Sequence, residues 1–307
     1  MLQGAMLRGK AVEVVGCLLA IFAFCGVAPS LSAPSFAAGP QPSDSAESPP
    51  SPAAALLDSG FRSLYELNFK DARADFVSYQ ERNPSDAMGA AAEAASYLYE
   101  QFDAKGIFTS QFFLNDDKFL RGADGTAAEN RNTPFLTANN RARAMAKKAL
   151  KAEPNNAHAL LVLTMADGME SDYDAMIVKK QMAGLGMMRQ AEAEANKLLE
   201  IDPDAEDAYL ALGASNYVIG NLSGFKRAFL WFGGIHGDKD RGIQQMRLAA
   251  EHGHYLKPFA KIMLALAYER EHQMDLARPL LASLVDEFPR NPLYAHELSL
   301  IDHPGEP

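Results

Sequence analysis

ARADFVSYQERNP, Ala72 to Pro84, places Ala72, Phe76 and Tyr79 at intervals of four and three and ends in a proline. That spacing aligns the three side chains in one stripe along a helix. The proline stops the helix, because it has no N–H to donate and its ring blocks the preceding turn. The same alanine-to-proline interval recurs at Ala142–Pro154, Ala191–Pro203 and Ala277–Pro289. Upstream of the first, Leu56, Leu57, Gly60, Leu64 and Leu67 fall on one side of a preceding helix, and Asn68 turns the chain between the two. The small residues let two helices approach closely, and Phe76 fills the gap they leave.

The other three matches extend into hairpins. A helix from Asn139 to Ala152, striped by Ala142, Ala146, Ala149 and Leu150, is followed by a turn and then by a helix through Leu160, Leu163 and Ala166. A helix from Met187 to Ile201 stops at Asp202-Pro203-Asp204 and is followed by Tyr209-x2-Leu212-Gly213, where the glycine admits a close neighbour. The last pair joins Ala260–Glu269 to Leu276–Phe288. Ala267–Pro279 has the same gap without the right phase. No period-two alternation indicates a strand, so the expected class is all-α.

Ala72-x3-Phe76 followed by Pro84, with its three repetitions, resembles the tetratricopeptide repeat. The resemblance implies α-helical hairpins stacked into a solenoid, whose curved surface binds a protein or peptide. The array is irregular. Pro84 and Pro154 are 70 residues apart, about two 34-residue units. The later gaps are not multiples of that unit, so inserted material is expected at Lys105–Pro134 and Asn221–Gly242. The first insertion carries Phe108, Phe112, Phe113 and Phe119, read here as a satellite core.

The second insertion contains Gly224-Phe225-x5-Trp231-Phe232-Gly233-Gly234-x2-Gly237-Asp238-Lys239-x2-Gly242. With the chain from Leu185 onward, it resembles the tetratricopeptide repeat protein 39-like family. That resemblance implies an interaction or adaptor protein without a catalytic centre. The chain departs from the family in its N-terminus.

There, Arg8 and Lys10 precede an apolar run from Val14 to Ala28, and Ser35-Phe36-Ala37 offers a small-x-small cleavage site. This is the layout of a secretory signal, residues 1–37. Fifteen apolar residues are short for a spanning helix, which needs about 20, so a membrane contact is expected only if this segment is retained. Val14-Val15-Gly16-Cys17 has the residue types of a lipid-attachment box, but most of the apolar run follows the cysteine instead of preceding it. Residues 38–53 form a Pro/Ser-rich linker that cannot offset its chain entropy by burial. Residues 54–307 form the repeat domain. The expected location is the periplasm or cell envelope of a bacterium, or the medium.

Bulk composition narrows the function. A net charge of −10 disfavours nucleic acid, which needs a basic face. Cys17 and Cys25 are the two cysteines, and both precede the repeat domain. That domain therefore has no thiol nucleophile, disulfide or zinc-thiolate site. No Gly-x-Ser-x-Gly elbow or His-Glu-x-x-His motif occurs. No catalysis and no cofactor are expected.

Several clusters have an alternative chemistry. The Gly233–His254 region, with His236, Asp238, His252 and His254, offers a second reading as a ligand- or metal-binding site or an enzyme. Its glycine spacing fails the phosphate-loop pattern, and Asp238 or Asp240 is placed to cap a helix. Glu200, Asp202, Asp204, Glu206 and Asp207 flank a helix stop and start and are read as exposed. Arg141, Arg143, Lys147, Lys148 and Lys151 read as a solvated basic face. A third reading is a self-assembling structural component of the envelope. If the first helix of each hairpin lines the concave side, the candidate partner contacts are Tyr217, Glu269 and Arg270, joined by Leu210 and His158.

Overall fold

The structure is a computed structural model that describes residues 52–115, 122–123, 133–222 and 235–303. The signal, most of the linker, both cysteines, Phe119 and the Gly224–Gly234 part of the glycine-rich run lie outside the described residues. Among the described residues there are helices and no strands. The helices are α1 (Pro52–Tyr65), α2 (Phe69–Arg82), α3 (Met88–Ala104), the short α4 (Ser110–Phe113), α5 (Pro134–Ala152), α6 (Ala157–Asp172), α7 (Gln181–Ile201), α8 (Ala208–Gly220), α9 (Lys239–His252), α10 (Lys257–Arg270), α11 (Met274–Glu287) and α12 (Pro292–Asp302). A π-helical turn, Tyr173–Ile177, follows α6.

Each long helix packs on the next one in the chain, giving an all-α stack of tetratricopeptide-like hairpins. The pairs are α1/α2, α3/α5, α6/α7, α8/α9 and α10/α11, with α12 against α11. The four repeated alanines are all buried in these pairs. Each of the four prolines sits one residue beyond a C-cap, at Asn83, Glu153, Asp202 and Phe288. Pro279, the out-of-phase match, lies inside α11.

Side-chain caps set the helix starts. Asn68 accepts from the Asp71 amide, Thr133 from Leu136, Asn156 from Ala159 and Asp238 from Arg241. The α8/α9 pair is held at close range by glycines. A Cβ on Gly213 would lie 2.7 Å from the Met246 amide nitrogen, and one on Gly242 would lie 2.5 Å from that of Tyr217.

Two features depart from expectation. The described aromatics of the first insertion, Phe108, Phe112 and Phe113, join the main core instead of a satellite. Phe108 packs edge-on to Tyr99 and Phe102, and Phe112 is also buried. In addition, the two ends of the stack meet. Phe61 stacks on Tyr255 with ring centroids 4.7 Å apart, Tyr65 packs against Phe288, and Tyr99 packs against Phe259. The Tyr65 hydroxyl donates to the Tyr255 carbonyl (2.8 Å), and Asn291 Nδ2 donates to the Tyr65 carbonyl (2.8 Å). The buried Glu66 carboxylate pairs with Arg290. Along this seam the chain's own side chains occupy much of the space between the ends of the stack.

Candidate binding site at the closing seam

A small cavity of about 20 Å³, room for a single small group, lies where α1, α3, α10, α11 and α12 converge. Its walls are apolar and aromatic, with Leu64 from α1, Tyr99 from α3, Leu266 from α10 and Tyr294 from α12. Two carboxyl groups also line it, Glu269 from α10 and Glu297 from α12, and both residues are at least 94% buried. No Lys, Arg or His is among the lining residues.

The surrounding contacts explain how two acids come to share an apolar site. Asn291 caps α12, accepting from the Leu293 amide through Oδ1 while its Nδ2 holds the Tyr65 carbonyl. This fixes the α12 register against α1 and turns Glu297 inward. The Ser110 amide at the start of α4 donates to Glu297 Oε2 (3.2 Å). Glu297 Oε1 is buried without a hydrogen-bond partner. Burial, with the charge of Glu297 as a second cause, pushes the Glu269 carboxyl up to about 7. Burial likewise raises the Tyr65 and Tyr99 phenols, so both remain protonated donors.

Of the five residues singled out from the sequence, Glu269 lines this cavity. Arg270 points elsewhere, its Nη1 donating to the Phe113 carbonyl (2.8 Å). Tyr217 is buried, and its hydroxyl donates to the Ala267 carbonyl (3.2 Å), where it ties α8 to α10. Leu210 is buried in the core. His158, at the start of α6, is half exposed and pairs with Asp86 (2.7 Å). Leu210 and Tyr217 are thus packing residues, and the five do not form one surface. Sequence reading missed Glu297, Tyr294 and Asn291. The available signal was Asn291-Pro292, an N-cap followed by a proline in the first helical turn.

The other clusters also resolve. Asp207 is buried, not exposed, and accepts from the amides of His254 (2.8 Å), Tyr255 (3.0 Å) and Leu256 (3.1 Å). Arg143 is not on a solvated face. Its Nε lies 2.7 Å from the fully buried Asp167, and Glu170 pairs with its guanidinium. His252 pairs with Glu251, while His254 pairs with Asp58 and stacks on Tyr255. The two histidines have separate partners. Among the described residues, no group of three His, Cys, Asp or Glu side chains could hold a metal ion.

No protein-family model matches this chain. No curated protein matches it either. Among solved structures, it is similar to a thermophilic TPR protein of Thermus thermophilus, at 15% identity and a TM-score of 0.44, covering 81% of this chain and 98% of that one.

Proposed function

We propose that this chain is an exported helical-repeat scaffold that binds a protein or peptide segment in the cell envelope and performs no bond chemistry. The observation that carries this reading is the convergence of stacked hairpins on one cavity with aromatic walls and two inward carboxyls. Affinity in such a site rests on a few anchored side chains and not on total area. The basic-then-apolar N-terminus supports export, with mature residues beginning at Ala38. The glycine-rich run near Gly237-Asp238-Lys239 supports kinship with the tetratricopeptide repeat protein 39-like family.

The test is affinity capture from envelope extract with the full chain, followed by titration of peptides tiled across the captured proteins. Saturable one-to-one binding of one peptide supports the reading. Absence of saturable binding across the tiled set overturns it. N-terminal sequencing of the envelope-resident protein tests export, since a mature chain starting at Met1 overturns the cleavage.

A further inference from the structure

We propose that the cavity at the closing seam is a primary-ammonium site, taking an amine on a slender apolar stem between Glu269 and Glu297. This deepens the scaffold reading and rests on it only for the identity of the amine's carrier.

One carboxylate oxygen in the cavity wall is buried without a donor. A buried carboxylate is stable only with hydrogen-bond donors or a counter-charge. Glu297 is 5% exposed, and the Ser110 amide donates to its Oε2. Its Oε1 lies in the same buried region with no donor. Glu269, 6% exposed, faces the same space. The cations nearest in sequence are committed to other partners. Arg270 bonds the Phe113 carbonyl, and Arg290 pairs with Glu66. A cation from outside the lining would complete the charge and hydrogen-bonding of this pair.

The walls select which cation. An –NH3⁺ head has three donors and no acceptor, so it can satisfy Glu297 Oε1 and Glu269 together. The apolar surfaces of Leu64, Leu266 and Tyr294 suit a methylene stem. Tyr99 offers an aromatic ring to the cation. Glu269, with its pKa near 7, gains its charge fully when a cation arrives. A planar guanidinium would need a wider, forked opening. The same head group could come from a lysine side chain of a bound peptide or from a free alkylamine.

The test is calorimetric titration of the full chain at pH 8 with n-butylammonium chloride, and with n-butanol as the neutral control of similar shape. Saturable binding is expected for the ammonium and not for the alcohol. Glu297→Gln and Glu269→Gln should each weaken binding at least tenfold. The wild-type comparison of amine with alcohol requires no variant to fold. A capped Ala-Lys-Ala peptide and its Nε-acetyl-lysine counterpart separate the two sources. Binding of the lysine peptide tenfold tighter than n-butylammonium assigns the site to a partner's lysine, and weaker binding assigns it to a free amine. No saturation by either amine, equal binding of alcohol and ammonium, or affinity unchanged in both variants overturns the proposal. If the chain still captures peptides in that event, the scaffold reading stands without this anchor.

Discussion

Gly60 sits so close beneath Phe76 that a Cβ atom on residue 60 would lie 2.4 Å from Cε1 of that ring. Phe76 is fully buried and packs edge-on to Phe61, so the ring has nowhere to move. This contact joins α1 to α2 and fixes the first hairpin. Gly60→Ala is therefore expected to destabilise the fold by about 1–3 kcal/mol through overpacking. Urea denaturation measures it. A Gly60→Ala/Phe76→Leu double variant should lose less than the two single variants combined, because the smaller side chain accommodates the methyl.

The same contact shows what the sequence made legible. Gly60, Ala72 and Phe76 carry a recognisable stripe because α1 and α2 each bury one face. The Ala-rich α3 is harder to read. Ala90, Ala91, Ala92 and Ala94 are all fully buried among α1, α2, α5 and α6, so its inner face is broad and built of small residues, with Glu93, Tyr97, Glu100 and Gln101 marking the outer one. The α8/α9 hairpin escaped the alanine-to-proline pattern because α9 stops at Gly253 instead of a proline. The candidate site was legible only as Glu269. Its other half depends on the two ends of the chain meeting, and contacts between residues 190 or more apart leave no local pattern in a single sequence.

The Asp86–His158 pair predicts a pH window for stability. Burial opposes the Asp86 charge, but hydrogen bonds from His158, Tyr79 and the Met88 amide outweigh it and hold the carboxyl at about 2. The hydrogen bond to Asp86, partly offset by burial, raises His158. The Asp86 contribution is complete above its unfolded pKa of 3.8 and is lost as pH falls toward 2. The His158 contribution is complete below its unfolded pKa of 6.5 and is lost as pH rises through its raised folded value. Both are present between those unfolded values. His158 is half exposed, so solvent screening limits its effect to about 1 kcal/mol or less. Thermal denaturation from pH 3 to 9 should show His158→Gln flattening the alkaline limb and shrinking the acid limb, since the His158 bond is the first of those that hold Asp86 low.

Asp207 replaces the missing side-chain cap of α10. Its two oxygens take three successive amides, at His254, Tyr255 and Leu256, and so fix the turn that presents Tyr255 to Phe61 and Tyr65. Asp207→Ala should cost about 2–3 kcal/mol, the range for losing hydrogen bonds to a charged acceptor. Asp207→Asn keeps an acceptor oxygen and should cost less. The order of the two midpoints in guanidinium denaturation checks this.

Glu269 predicts the opposite limb from Asp86. Its folded pKa near 7 exceeds the ordinary 4.5, so the folded state holds the proton more tightly. Stability is therefore greatest below 4.5 and falls as pH rises through 7. Glu269→Gln removes the titrating group and should make the variant more stable than wild type at pH 8, by about 1–3 kcal/mol. Little difference is expected at pH 4.5. Paired melting curves at the two pH values test the sign.

Asn291 couples the two ends of the stack. It caps α12 through Oδ1 while its Nδ2 holds the Tyr65 carbonyl at the end of α1, and the residue is 2% exposed. Asn291→Ala therefore removes a cap and leaves a carbonyl 226 residues earlier without this donor. The expected loss is about 2 kcal/mol. Its distribution distinguishes a closed stack from an open one. In an open solenoid, damage at the last helix stays with its neighbours, because each repeat contacts only adjacent repeats. Here the seam passes through Asn291, Tyr65 and Tyr255, so amide exchange should accelerate in α1 and at the start of α10 as well as in α12. Acceleration confined to α11 and α12 would show that the ends are not energetically joined.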